Sequence, residues 1–273
     1  MLFRYGDVYM LNKLLKYDLK YIFKTQIYIF ITTIICLIIA KIFQSNVYDF
    51  FIYYSIHLSF LMFTYALISV LIINNFIRLW NRFKNTIYGD ESYLIHTLPI
   101  TKNQIFLSKV LTSIITLTTS TLFVFVVDLI VRDFKPRGTY AYVSTGSNIF
   151  INQYINSFPN QITIWFIILL VLITLSIIGY FSLILGHESK KNKLVLSIII
   201  GIVIFILTLI LSFVFCVIIG IFNYGVSNFL WHSTLTNATK KTLFIINIIF
   251  YIMASSGYYW LSLKKLEKGI NVE

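Results

Sequence analysis

Apolar residues gather into six long runs, and the positions of Asp, Glu, Lys and Arg mark where each run ends. A helix that crosses a bilayer needs about 20 mostly apolar residues. Thr25 to Ala40 is free of charge and Lys41 can snorkel at its far end, which predicts a first span over 26–43. The uncharged stretch from Phe50 to Ile77 predicts a second over 55–76. A third over 105–131 contains Asp128 near its end, and a fourth covers 162–186. From Leu194 to Thr239 there are 46 residues without a charge. That is too long for one helix, and Asn223-Tyr224-Gly225-Val226-Ser227-Asn228 interrupts it, so the fifth span is placed at 194–222, followed by a loop at the interface. The sixth covers 242–263. The expected fold class is all-α integral membrane, with residues 1–273 forming one polytopic transmembrane domain.

Composition agrees. The chain is 58% hydrophobic and 12% charged with mean hydropathy +0.84, against about 45–50% and about 25% in a soluble domain. Its net charge of +12 suits either nucleic acid or membrane orientation, and placement separates the two. Six spans put both termini on one side. Fifteen Lys/Arg fall on that side, in the N-terminal segment, the second and fourth loops and the tail, against five on the other. By the positive-inside rule both termini are cytoplasmic and the excess is an orientation signal, not a nucleic-acid surface. Richness in Ile, Lys, Asn, Tyr and Phe suggests an AT-rich genome and a bacterial cell membrane. The first apolar run ends in Ala40-Lys41-Ile42-Phe43 without a small-residue cleavage pattern, so no cleavable signal peptide is expected.

Residues 10–25 read as an amphipathic helix. At 100° per residue Lys13, Lys16, Lys20 and Lys24 fall within about 80°, with Leu11, Leu15, Leu19 and Ile22 opposite. Such a pair of stripes suits an anionic lipid surface, so an N-terminal interfacial helix is expected there. The alternative is an extension of the first span with a solvated face.

Intramembrane chemistry needs ionisable groups at depth, and the spans offer few. Asp128, four residues from Arg132, reads as a helix-end ion pair. His57 lies near the outer end of the second span as a satisfied or lipid-facing imidazole. Cys36 and Cys216 sit in separate apolar runs, no His or Cys pair has ligand spacing, and no phosphate-binding glycine loop is present. Catalytic residues, bound cofactors and metal ligands are therefore not expected in this chain. The hydroxyl residues of the third span, Thr112 to Thr121, serve helix packing.

The second cytoplasmic loop carries its own pattern. Gly89 breaks the helix that continues from the second span. Asp90 and Glu91 suit the positive N-terminus of a new short helix, and Pro99 ends it by pushing Leu98 out of helical geometry. Thr101-Lys102-Asn103-Gln104 is then a capping box that opens the third span. The run Arg82-Phe83-Lys84-Asn85, Tyr88-Gly89-Asp90-Glu91-Ser92-Tyr93, Thr97-Leu98-Pro99 and Lys109 resembles the membrane permease subunits of ATP-binding-cassette exporters, in the type-two export permease family of low-GC Gram-positive bacteria. The likeness covers some 30 residues; Ser92 stands where the family has glycine, and the register between Phe83 and Tyr88 differs slightly.

The resemblance implies a coupling helix between spans 2 and 3 that docks on a separate ATPase subunit through Tyr88, Gly89, Asp90, Glu91, Ser92, Tyr93, Leu98 and Pro99. It implies ATP and Mg bound in that partner, a second permease copy or related permease, and an elbow role for residues 10–25. Sparse charge in the spans favours a hydrophobic or amphipathic cargo, such as a peptide, antimicrobial, lipid or drug, with Tyr65, Tyr180, Tyr251, Tyr258 and Tyr259 as candidate lining residues. Two readings from other classes stand beside this one. A polytopic enzyme would need carboxylates or histidines clustered at one depth, and a membrane scaffold or immunity protein would sequester a toxic peptide without ATP.

Overall fold

The computed structural model describes residues 5–44, 51–89, 91–93, 101–132, 158–189, 192–223 and 237–267. They form six long helices: α1 Tyr5–Gln44, α2 Phe51–Ile87, α3 Lys102–Arg132, α4 Phe158–His187, α5 Lys193–Phe222 and α6 Asn237–Glu267. All six are long and apolar enough to cross a membrane, and no strand occurs among the described residues. The six expected spans each fall inside one helix. Residues 133–157, the stretch from Tyr224 to Thr236, and Asp90, Leu98 and Pro99 lie outside the described residues.

One expected boundary is missing. Residues 10–25 and the span from Gln26 are a single uninterrupted helix. Its 40 residues rise roughly 60 Å, about twice the hydrocarbon thickness of about 30 Å. Nothing in the local sequence breaks it, because 10–25 contains neither Gly nor Pro. Lys13, Lys16, Lys20 and Lys24 are all exposed while Leu11, Leu15, Leu19 and Ile22 turn inward to varying degrees, so the two stripes are present on an extension of the first span.

Burial runs opposite to that of a soluble protein. Large apolar side chains such as Ile210, Phe213 and Ile38 face outward, whereas Thr64, Asn75, Ser108, Thr112, Ser113 and Thr116 are buried. Helix α5 is the extreme case: its buried residues are Ser197, Thr208 and Gly220. The reason is solvent. In lipid an outward leucine or isoleucine costs nothing, and small residues allow helices to approach closely. Gly186 shows how closely, since a Cβ there would stand 2.7 Å from the Ser197 Cα and backbone nitrogen across the α4–α5 contact.

Helices α3 and α4 are central, with α1 and α2 packed on one side and α5 and α6 on the other. The main apolar core lies at the Lys/Arg-rich end, where Ile22, Phe83, Phe106, Tyr180, Leu183 and Leu266 from five helices meet. Tyr180 stacks on Phe83 at 4.5 Å between ring centroids.

Candidate functional site

The residues that follow α2 are held against the bundle by side chains of the neighbouring helices. Helix α2 stops at Ile87, and the chain turns through Tyr88 and Gly89 into a helical turn at Ser92 and Tyr93. Gly89 is required for this turn: a Cβ would meet Asn85 Cα at 2.8 Å and its carbonyl oxygen at 2.9 Å. The Gly89 carbonyl then accepts from the Ser92 backbone N–H at 2.9 Å. Helix α3 opens with the reciprocal capping box that the sequence predicts. Thr101 N–H donates to Gln104 Oε1 at 3.1 Å, and Gln104 N–H donates to Thr101 Oγ1 at 3.4 Å.

Asp18 of α1 is the hub of this region. Its carboxylate is 1% exposed and accepts from Arg82 Nε at 2.6 Å on one oxygen and from Lys109 Nζ at 2.7 Å on the other. Arg82 reaches on to Glu91 at 2.7 Å, which ties the segment after α2 back to that helix. Lys109, itself 3% exposed, donates also to Thr86 Oγ1 at 3.0 Å. Two acids and two bases thus balance, with Asp18 and Lys109 buried and Arg82 and Glu91 partly exposed. Charge-assisted bonds of this kind are short and strong, and a buried charge without its partner is costly.

A second anchor joins α2 to α4. The Tyr88 ring stacks on His187 at 3.9 Å and 14°. Burial of Tyr88, and secondarily the charge of Glu188, raise its phenol pKa above the ordinary value near 10. Helix α6 closes the same end: Lys102 Nζ donates to the Leu266 carbonyl at 3.0 Å, Tyr259 donates to Asn103 Oδ1 at 3.0 Å, and Lys265 pairs with Glu188 at 3.0 Å.

The sequence-predicted positions therefore separate into two groups. Tyr88, Gly89, Glu91 and Ser92 are turned toward the bundle, while Tyr93 is 76% exposed. Lys109 is buried on Asp18. Asp18 is missing from the sequence-stated set, yet its signal is in the helical wheel. It lies about 140° from Lys13 at 100° per residue, beside Leu11 and Ile22 on the inward stripe, an acid on the apolar face of a basic helix.

The remaining candidates are dispersed. His57 is buried and its Nδ1 donates to the Ala40 carbonyl at 2.7 Å, so it is satisfied and links α1 to α2. The Arg132 side chain lies outside what is described, so its expected pairing with Asp128 does too. The hydroxyls of Thr112, Thr116, Ser120 and Thr121 donate to carbonyls one turn back on α3, as packing residues do. Among the five tyrosines, Tyr180 is a core residue, Tyr258 shares a hydrogen bond of 2.7 Å with Thr208, and Tyr259 is engaged with Asn103. Tyr65 and Tyr180 border different cavities. Tyr180, Trp80 and Phe76 line an apolar groove of about 420 Å³ between α2, α4 and α5.

Six long apolar helices with buried small residues define a multi-pass membrane protein. No family model, curated protein or solved structure matches the chain.

Proposed function

We propose that the chain is the permease subunit of an ATP-binding-cassette exporter, carrying a hydrophobic or amphipathic cargo across a bacterial cell membrane with energy from a separate ATPase subunit. On this reading both termini are cytoplasmic, two permease subunits form the path, and ATP and Mg belong to the partner. The observation that carries the reading is the pinning of the segment after α2. Arg82–Glu91 and Tyr88–His187 fasten Tyr88 and Glu91 to two helices, and Asp18 fastens that assembly to α1 and α3, while Tyr93 points outward. A segment that must convey a push from a partner needs this combination of rigid attachment and an exposed contact residue. A solvated connector needs neither. The excess of Lys/Arg at the same end supports its cytoplasmic placement.

The test is affinity purification of the tagged chain from its native membrane, with mass spectrometry and an ATPase assay on the eluate. A stoichiometric cassette ATPase, lost when Tyr93→Ala and Asp90→Lys are combined in a chain that still inserts, is the expected result. Glu91 is left unchanged in this test because it holds Arg82. A wild-type chain that elutes alone from gentle detergent would overturn the proposal in favour of the scaffold or immunity reading.

A further inference from the structure

The apolar groove between α2, α4 and α5 ends beside the Asp18 cluster, since Asn81 in its wall directly precedes Arg82. Ile198 and Phe205, which bound it on α5, are seven residues apart, roughly 10 Å at 1.5 Å per residue. Phe76, Trp80, Tyr180 and Phe205 supply aromatic faces, and no Asp, Glu, Lys or Arg among the described residues borders it. Gly179 leaves the α4 backbone bare beside the Trp80 ring, which a Cβ would meet at 3.4 Å. Ile198 and Ile202 are exposed at the rim, so the groove opens sideways toward acyl chains.

Its character changes at one end. Lys84 follows Trp80 and Asn81 by one turn and stands over them on the same side of α2. Across the mouth α5 starts at Lys193, with the positive end of its helix dipole. Both ammonium groups lie within electrostatic reach of the His187 ring, which places them at one corner of the bundle. Glu188, at the same corner, is engaged by Lys265 at 3.0 Å. An ammonium has three N–H donors, so a lysine that has a partner within the protein still has donors to offer a phosphate. The groove is thus apolar at depth and cationic at the membrane boundary. A wholly apolar solute would use only the slot, and a soluble anion only the lysines. A lipid with an anionic headgroup uses both.

We infer that the groove holds one acyl chain of an anionic phospholipid, drawn from the leaflet at the Lys/Arg-rich end, with its phosphate between Lys84 and Lys193. The chain lies against Trp80 and Phe205 and fills the gap between α2 and the α4–α5 pair, at the end of the bundle where Tyr88 stacks on His187. As a lipid site it stands on the groove and its charge and does not need the permease reading.

Trp80 is a reporter already in the wall. With Trp165, Trp231 and Trp260 replaced by phenylalanine, its fluorescence reads contact with lipids brominated on the acyl chain, added at low mole fraction to full-length chain in phosphatidylcholine nanodiscs. A control chain carries the same three replacements with Trp80→Phe and Val203→Trp. Val203 is exposed and lies about 140° from Ile198 around α5, so it samples the lipid around the whole protein. Brominated phosphatidylglycerol should quench Trp80 at a mole fraction roughly fivefold or more below that needed with brominated phosphatidylcholine. The two lipids should be nearly equal at position 203. Lys84→Gln combined with Lys193→Gln should abolish the preference at Trp80 and leave quenching by phosphatidylcholine in place. Equal quenching of Trp80 by the two lipids overturns the inference without recourse to the lysine variants. So does a preference of the same size at position 203, which would mean general enrichment around a basic chain, or a preference that survives both lysine replacements in a chain of unchanged melting behaviour.

Discussion

Replacing Asp18 with Asn removes one negative charge and almost no volume, which makes it a sharp test of the buried cluster. In the parent, the Lys109 ammonium is 3% exposed and has Asp18 at 2.7 Å as its carboxylate. Arg82 is less dependent, because it is 20% exposed and keeps Glu91 at 2.7 Å. The loss therefore falls mainly on Lys109, which becomes a buried cation faced by neutral groups, the introduced amide and the Thr86 hydroxyl, in place of its carboxylate. Breaking one side of such a pair costs about 3–5 kcal/mol. Removing both partners should cost much less, since an apolar pair of similar volume is often as stable as a buried ion pair. The expected order of stability is parent, then Asp18→Asn with Lys109→Met, then Asp18→Asn alone. Reversible unfolding in mixed micelles with increasing SDS measures all three. If Asp18→Asn lies within about 0.5 kcal/mol of the parent, as an ordinary surface substitution does, the cluster is not a stabilising hub. If the double variant is no better than the single, the argument from an unpaired Lys109 fails.

Gly186→Ala inserts a Cβ 2.7 Å from the Ser197 backbone; α4 and α5 must separate, and a loss of about 1–3 kcal/mol is expected in the same unfolding assay. Thr101→Ala removes the hydroxyl that caps α3 and should cost about 1 kcal/mol, with Thr101→Ser near the parent value. Tyr88→Phe keeps the stack on His187 and should be close to neutral at pH 7. Above pH 10 the two chains should diverge. The raised pKa of the folded Tyr88 means that the unfolded phenol ionises first, so parent stability declines as pH rises past 10 toward the folded value. A comparison of the two chains from pH 8 to 11 checks this, and parallel curves would refute the burial of that phenol.

The helices were legible because a bilayer demands a single long solution for each apolar run, and the Lys/Arg positions set the ends within a few residues. At Gln26 the helix continues without a break, since nothing in the local sequence stops it there. Charge position along the chain does not reveal whether an amphipathic stretch turns onto the membrane or continues into the bundle; the absence of Gly and Pro was the better guide. The capping box at Thr101–Gln104 and the stop at Gly89 were readable because both are local. The Asp18 hub was not, because its partners are 64 and 91 residues away. The wheel shows an acid on the inward stripe of α1, but only the packing of α2 and α3 reveals which cations it meets. The cavity beside Asp128 escaped for a similar reason, since its wall joins Tyr65 from α2 and Trp165 from α4 to Thr121, Val124, Phe125 and Asp128 of α3.

The distribution of polar bonds also bears on how the bundle can move. At the Lys/Arg-rich end, charged side chains bridge α1 to α2, α1 to α3 and α4 to α6. Along the interior most hydroxyls are satisfied by their own helix, as for Thr64, Thr112, Thr116 and Thr121. Such residues permit close contact, and interior bonds that do join helices, such as those from Gln26 and Asn75 to Ser120 and from Ser176 to Ser113, involve no charged group. Toward the other end α1 and α2 are joined among the described residues by the His57–Ala40 hydrogen bond and the Phe43–Tyr53 stack, and the apolar cluster there is smaller, built on Leu37, Ala40 and Val127. Relative helix motion should therefore grow with distance from Asp18. Spin-label pairs on the exposed positions Lys20 and Leu261 at one end, and Ile38 and Ile245 at the other, measure this once Cys36 and Cys216 are replaced by alanine. The distance distribution of the Ile38–Ile245 pair should be the broader of the two. Equal widths would mean that back-bonded hydroxyls hold these helices as firmly as buried ion pairs do.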